Sequence, residues 1–507
     1  MEINETDIQK IVHSVLKNIE SQHTNKITPM PLKKAEHNSQ TLNSMPLLST
    51  PFNALSGVFD EMSDAILAAD IAQKQYIKEF QISDRKRIIT AIRNAVLQSK
   101  EVLAKMVYEE TKLGRFEDKI AKHELAATKT PGIEDLQPTV FSGDAGLTLV
   151  EQAPFGVIGA VTPVTNPTET IINNTISLIT AGNAVVFNVH PSSKKSSAYV
   201  VDLINKAVID AGGIANLVTM VKDPTMSTIE DLINCPRVRM LLGTGGPGLV
   251  KKLLSSGKKA IGAGAGNPPV IVDETADLKN AAKSIILGAS FDNNLLCIAE
   301  KSVFVLEEVA DDFIYQMLSE GAYMLNQKQL TDVMDFALVE YEQKDAAKSC
   351  TINKKRKFHA AKDWVGKDAS SFLQKLNVAH NNDVKLVICE TDANHPFVKT
   401  EQMMPVLPIV RVKTLDEAVE LAVKTEGGNR HTAIMHSRHV AHLTKFAKAI
   451  ETTIFVKNAS SLAGVGYGGE GTTTMTIAGP TGEGITTAKT FTRERRCVLA
   501  EGGFRII

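Results

Sequence analysis

Apolar residues first fall into a helical rhythm over positions 6–20, where Ile8, Ile11, Val12, Val15, Leu16 and Ile19 recur at steps of three and four with polar residues between them. Thr6 and Gln9 stand at capping-box spacing, which predicts a helix start at Thr6. From Ser21 to Phe52 the rhythm dissolves into Ser, Thr, Asn, His, Lys and prolines, a composition that buries too little surface to offset ordering; residues 21–52 are predicted to be a flexible linker. A helix of about 14 residues is marginal alone, so its stripe is expected to dock either on a partner or on the body of the chain.

Helical periodicity returns over 57–130, through Val58, Met62, Ala65, Ile66 and Ala69, then Ile88, Ile89, Ile92 and Val96, then Leu103, Met106 and Val107. Beyond it, short β-branched runs at Val157–Val161, Ala184–Phe187, Leu217–Val221, Val238–Leu242, Val270–Val272 and Ser302–Val305 alternate with helical stretches. That alternation predicts an α/β fold with a parallel sheet wrapped by helices. Further runs at Lys385–Cys389, Leu407–Val412 and Thr453–Val456 predict a second α/β unit beyond about residue 267.

Composition narrows the function. The 507 residues are enough for two or three packed units, and a net charge of −1 argues against a polyanion-binding surface, so no nucleic-acid partner is expected. No stretch approaches the roughly 18 apolar residues of a membrane span. Glu2, Glu5 and Asp7 precede an interrupted apolar run, unlike a secretory leader. Five cysteines (Cys235, Cys297, Cys350, Cys389, Cys497) are widely separated, which suggests neither a disulfide framework nor structural zinc and fits a reducing compartment. H-E-x-x-H and G-x-S-x-G are both absent, and no metal site is expected.

Four segments are candidates for chemistry. Gly243-Thr244-Gly245-Gly246-Pro247-Gly248 satisfies G-x-G-x-x-G between an apolar run and a helical pattern, the context in which a backbone approaches a pyrophosphate; the acidic residue usually found about 20 positions on is missing, and a plain tight turn is the alternative. Gly262-Ala263-Gly264-Ala265-Gly266-Asn267-Pro268-Pro269 either passes close to a ligand or forms a hinge. Cys297 follows the polar cluster Asp292-Asn293-Asn294 and is either a nucleophile or an inert core thiol. His395 lies in the turn-prone Asn394-His395-Pro396, where a structural role is the commoner one; Lys354-Lys355-Arg356-Lys357 reads as a solvated loop.

Together, Ala153-Pro154-Phe155-Gly156-Val157-Ile158-Gly159, Thr162-Pro163-Val164-Thr165-Asn166-Pro167, Ala181-Gly182-Asn183, Gly262–Pro269, Ser290–Lys301, Gly479-Pro480-Thr481-Gly482 and Phe491-Thr492-Arg493-Glu494 resemble the aldehyde dehydrogenase superfamily. More narrowly they resemble its CoA-acylating branch, the propionaldehyde and acetaldehyde dehydrogenases of bacterial microcompartments. The resemblance implies a Rossmann-like NAD domain over 53–266 with an oligomerisation hairpin near 138–152, an α/β catalytic domain over 267–457, and a C-terminal return over 458–507 ending in an oligomerisation strand.

It further implies NAD as cofactor, coenzyme A as co-substrate, a short-chain aldehyde with propionaldehyde favoured, and a homo-oligomer, dimer or tetramer. Cys297 matches the nucleophile, and either Thr165 or Asn166 serves the oxyanion with the cysteine's own N–H. His395 matches a histidine assigned to proton transfer, and Glu401 the glutamate that holds the nicotinamide ribose. Thr162, Pro163, Gly243, Thr244, Gly245, Gly246, Gly248 and Gly264 complete the expected cofactor contacts. Gly262 stands where hydrolytic relatives carry the glutamate that activates water, which favours acyl-CoA over free acid. Residues 1–20 resemble the helix that recruits such enzymes to a shell protein, implying a place in a microcompartment lumen in a bacterial cytoplasm.

Overall fold

The computed structural model describes residues 55–342, 356–381, 383–501 and 506; the helix expected at 6–20 and the linker 21–52 lie outside them. Two all-parallel sheets organise the described chain. The first has six strands in the order Val58–Phe59, Val218–Val221, Ala184–Asn188, Val157–Val161, Val238–Thr244 and Lys259–Ala263. Its central strands Val157–Val161 and Ala184–Asn188 are buried along their whole length, which is why their sequences run apolar without alternation. Apart from the edge strand Val58–Phe59, chain order maps to spatial order 3-2-1-4-5, so the direction of winding reverses between Val157–Val161 and Val238–Thr244. The carboxyl ends at such a reversal leave a crevice.

The second sheet has seven strands, in the order Tyr323–Met324, Val387–Glu390, Val406–Val412, Ser302–Leu306, Pro269–Val272, Thr432–His436 and Ile454–Lys457. A third, antiparallel sheet joins the hairpin Thr139–Gly143 and Gly146–Pro154 to the strand Thr492–Ala500 near the C-terminus. Val140, Phe141, Val498 and Leu499 on this sheet are exposed.

The stretch 57–130 is mostly helical as expected, in three helices, Met62–Glu79, Ile82–Thr111 and Phe116–Lys129, the last called α1 here. Val58 is the exception: it enters the sheet edge beside Met220, because two residues are too few to declare a period of their own. Arg356 and Lys357, expected in a loop, open a strand that pairs with Leu338–Glu342; a partner strand that far back along the chain is invisible in a local charge run. Two more helices are α2 (Pro167–Thr180), after the strand Val157–Val161 of the six-stranded sheet, and α3 (Leu278–Ser290), before the cysteine segment. Every residue of α2 is buried, including Thr168, Glu169, Asn173 and Asn174, so its polar groups must find partners inside the protein.

Candidate active site

The cysteine is delivered by an unusual turn. After α3, Asp292, Asn293 and Asn294 adopt φ of 47°, 54° and 65°, three successive left-handed residues that only Gly, Asn and Asp adopt readily. Each is held by hydrogen bonds: Asn293 Nδ2 donates to the Gly366 carbonyl at 3.0 Å, and Asn294 Nδ2 donates to the carbonyls of Ala289 (2.8 Å) and Glu300 (3.0 Å). Asp292 accepts from the Arg115 N–H (2.8 Å), from Lys119 Nζ (3.1 Å) and from Lys122 Nζ (2.5 Å). From the other side, Lys301 Nζ donates to the carbonyls of Asn294 (2.9 Å) and Leu296 (3.3 Å) and to the Asn294 side chain. The polar cluster before Cys297 is therefore the sequence signature of a backbone shape.

Cys297 lies half-buried in a narrow cavity of about 30 Å³, walled by Leu125, Phe291, Leu462, Val465 and Ile477 and shared with Lys122 and Asn166. Burial, with a further push from the Glu401 carboxylate, raises its thiol pKa to about 12 against a downward pull from Lys301. Asn166 is 8% exposed and precedes α2. Its Oδ1 accepts from Lys122 Nζ at 2.7 Å, which leaves the Nδ2 side of the amide for the cavity, where a long contact of 3.4 Å to Thr165 Oγ1 is its one protein partner among the described residues. Thr165 does not line this cavity.

Glu401 reaches the same region. Its Oε1 accepts from the Gly266 N–H at 3.3 Å; burial raises its pKa while Lys301 and that N–H oppose the rise. Gly266 in turn leaves no room for a side chain, because a methyl group there would press on the Cys297 carbonyl oxygen and stand 3.1 Å and 3.3 Å from Cγ and Nδ1 of His431. His431 is thus the histidine packed beside the cysteine segment. It is 1% exposed, its Nδ1 meets Thr432 Oγ1 at 2.9 Å, and its Nε2 is buried without a hydrogen-bond partner. Burial, aided by Lys301, lowers its pKa to about 4, so the ring is neutral at working pH.

His395 is placed differently. It caps the short helix Pro396–Lys399, with Nδ1 accepting from the Phe397 N–H at 3.3 Å and its ring stacked on Phe397, and no described contact joins it to Cys297. Sequence reading missed His431 because nothing local marks it; the signal is its packing across Gly266, a contact over more than 160 positions. A Cβ at Gly262 would run into Val250 of the helix Pro247–Leu254. The segment 262–266 is all Gly and Ala and brings no carboxylate of its own to the site.

The dinucleotide candidates converge at the reversal of the first sheet. Thr162 and Pro163 follow the strand Val157–Val161, and Gly243 to Gly248 follow its neighbour Val238–Thr244. Gly243 is small for packing, since a Cβ would strike Leu253 of the next helix, whereas Gly246 and Gly248 face open space within 4 Å. Gly246 caps that helix, whose first residue, Pro247, carries no N–H, so the earliest amide at this end is that of Gly248. Thr162 Oγ1 is buried with no partner, an orphan group that a bound polar ligand would satisfy. Thr244 is tied through Oγ1 to Thr476 Oγ1 at 3.1 Å, a Cβ at Gly245 would crowd Leu249, and a Cβ at Gly264 would stand 3.4 Å from Pro480. These residues fit an NAD-type cofactor.

The model of the aldehyde dehydrogenase family matches residues 56–487. The chain belongs to the aldehyde dehydrogenase family. It is 44% identical over 506 residues to the acetaldehyde dehydrogenase (acetylating) EutE of Salmonella typhimurium, covering 100% of both chains. Among solved structures it resembles a propionaldehyde dehydrogenase from the Clostridium phytofermentans fucose utilisation bacterial microcompartment, with 46% identity, a TM-score of 0.84 and coverage of 89% of this chain and 100% of that one. It also resembles the Rhodopseudomonas palustris propionaldehyde dehydrogenase with bound CoA and an acylated cysteine, with 47% identity, a TM-score of 0.82 and coverage of 88% and 98%.

Proposed function

We propose that this aldehyde dehydrogenase converts a short aliphatic aldehyde, CoA and NAD⁺ into acyl-CoA and NADH through a thioester on Cys297. The observation that carries the reading is the shared cavity of Cys297 and Asn166 beside a Gly/Ala segment that supplies no carboxylate to activate water. The similarity to acetylating and propionaldehyde enzymes, one of them with CoA and an acylated cysteine, supports it.

Attack of the Cys297 sulfur on the aldehyde carbon forms a thiohemiacetal whose oxygen gains charge; the Cys297 N–H and the free N–H of Asn166 are the donors. The gap between a thiol near 12 and an imidazole near 4 keeps Cys297 and His431 neutral at rest. The proton therefore leaves sulfur as the C–S bond forms, toward the open Nε2 of His431. Thr162, Gly246 and Gly248 would hold NAD⁺, with Glu401 beside Gly266 as its ribose partner, and the cofactor would accept the hydride that the thiohemiacetal carbon gives up as the thioester forms. Once the imidazolium has released that first proton to solvent, the CoA thiol passes its own proton to the same imidazole and attacks the thioester, and the Cys297 sulfur departs, taking that proton back. We assign the proton-transfer role to His431 in place of His395.

Propionaldehyde is the favoured substrate, with acetaldehyde close behind, since one methylene is worth only about 1–3 kcal/mol of discrimination. The six-stranded sheet forms the dinucleotide domain and the seven-stranded sheet the catalytic one. The exposed apolar residues of the three-stranded sheet form a homo-oligomer interface, and residues 6–20 bind a shell protein that places the enzyme in a microcompartment lumen. The test is rapid-mixing NADH formation with two-, three- and four-carbon aldehydes. Without CoA, one NADH per Cys297 should appear and then stall; with CoA, turnover should continue. Sustained free-acid production without CoA would refute the reading.

A further inference from the structure

Two lysines on α1, Lys119 and Lys122, are 0% and 1% exposed, an expensive placement that requires charged partners. Their partners are Asp292 and Glu169, which are themselves 0% exposed. The two lysines are not equivalent. Lys119 Nζ meets Asp292 Oδ2 at 3.1 Å and makes no described contact with the cavity. Lys122 Nζ meets three oxygens at once: Asp292 Oδ2 at 2.5 Å, Glu169 Oε1 at 3.1 Å and Asn166 Oδ1 at 2.7 Å. Asp292 and Asn166 accept hydrogen bonds from the ammonium and Glu169 adds an ion pair, a set of oxygens that suits the side chain only when it is charged. Burial lowers its pKa, but Asp292 and Glu169 outweigh burial and hold it above the ordinary lysine value; Lys122, with His123 and Lys119, in turn draws Glu169 down to about 2 against its own burial.

We propose that Lys122 is the positioning residue of the oxyanion site, acting through Asn166. An amide has one acceptor end and one donor end, and a neutral pocket would allow it to turn over. With Lys122 clamped to its Oδ1, the Asn166 amide presents only N–H to the cavity, and the adjacent positive charge polarises that N–H toward a developing negative oxygen. The same ammonium grips Asp292, the first left-handed residue of the turn that delivers Cys297. One side chain therefore fixes the spacing between the nucleophile turn and the oxyanion donor. This inference rests on the reading of Asn166 as that donor.

The test is a double-mutant cycle on the full chain, read by the pre-steady-state rate of NADH formation with aldehyde and NAD⁺. Asn166→Ala alone tests the underlying reading and should slow the burst by roughly 10²–10³-fold. Lys122→Met should slow it by a similar factor while leaving aldehyde KM within about threefold, and Lys122→Met added to Asn166→Ala should slow it no further. Lys119→Met removes an equally buried ammonium from the same Asp292 without touching Asn166; it should lower Tm comparably yet leave the burst rate of the folded protein within about threefold of wild type. Equal rate losses in Lys119→Met and Lys122→Met, or losses that multiply in the double mutant, would overturn the proposal. If Lys122→Met does not fold, the cycle is run with Lys122→Gln, whose loss must likewise vanish in the Asn166→Ala background. An Asn166→Ala variant of unchanged rate would instead remove the oxyanion assignment itself.

Discussion

A methyl group added at Gly266 tests how tightly the site is set. The Cβ of a Gly266→Ala variant would fall well inside contact distance of the Cys297 carbonyl oxygen, with the imidazole of His431 close behind it at 3.1 Å. Carbon and oxygen normally stop well over 3 Å apart, so a backbone carbonyl rather than a flexible side-chain tip has to yield, by on the order of 1 Å. The turn cannot give freely, because Lys301 and the Asn294 side chain already hold it on both sides. Overpacking of this kind costs about 1–3 kcal/mol of stability, and a displacement of about 1 Å at a reacting group costs on the order of 10²-fold in rate. The expected result is a folded protein with Tm lowered by a few degrees, cofactor affinity nearly unchanged, and kcat/KM for aldehyde down by about two orders of magnitude. Thermal melts, fluorescence titration with NADH and steady-state kinetics read the three quantities. A Gly266→Ala enzyme with wild-type kcat/KM would show that the cysteine carbonyl and His431 do not constrain the chemistry.

Other outcomes follow from the buried charges. With the Cys297 thiol pushed up to about 12, and tempered by its partial contact with solvent, alkylation of the free enzyme by iodoacetamide should climb about tenfold per pH unit from 7 to 9; a plateau centred below pH 9 would contradict that burial. Glu300 is fully buried between Ser461 N–H and Oγ, both at 2.8 Å, and burial raises its pKa to about 7. Because the folded value exceeds the unfolded one, its stabilising contribution is complete below about pH 4.5 and is lost as pH rises through 7, by about 3 kcal/mol in all. Glu300→Gln should flatten Tm against pH across that window, and an unchanged slope would argue against the shift. Asp292→Asn leaves Lys119 and Lys122 short of a shared countercharge and should destabilise by about 3–5 kcal/mol, measured by chemical denaturation; a loss under about 1 kcal/mol would mean the pair is offset elsewhere.

Much of this protein is written in local order along the chain. The apolar runs placed nine of the thirteen strands of the two sheets to within a residue or two, since a strand buried on both faces is nearly apolar throughout, as Val157–Val161 is; Val58–Phe59, Lys259–Ala263, Tyr323–Met324 and Thr432–His436 carried no such mark. Cys297 and the glycine motif at 243–248 stood out as candidates in the local sequence, whereas Asn166 and Glu401 entered only through the family resemblance. Tertiary structure alone decided which of these groups face one another. His431 stands beside Cys297 only across Gly266, and Lys122 orients Asn166 from a helix 44 positions earlier while holding Asp292 170 positions later. The physical reason is one of range. Periodicity and turn chemistry act between near neighbours, whereas the desolvation of a lysine or a histidine, and the partner that compensates it, exist only after distant segments have closed around the same small volume.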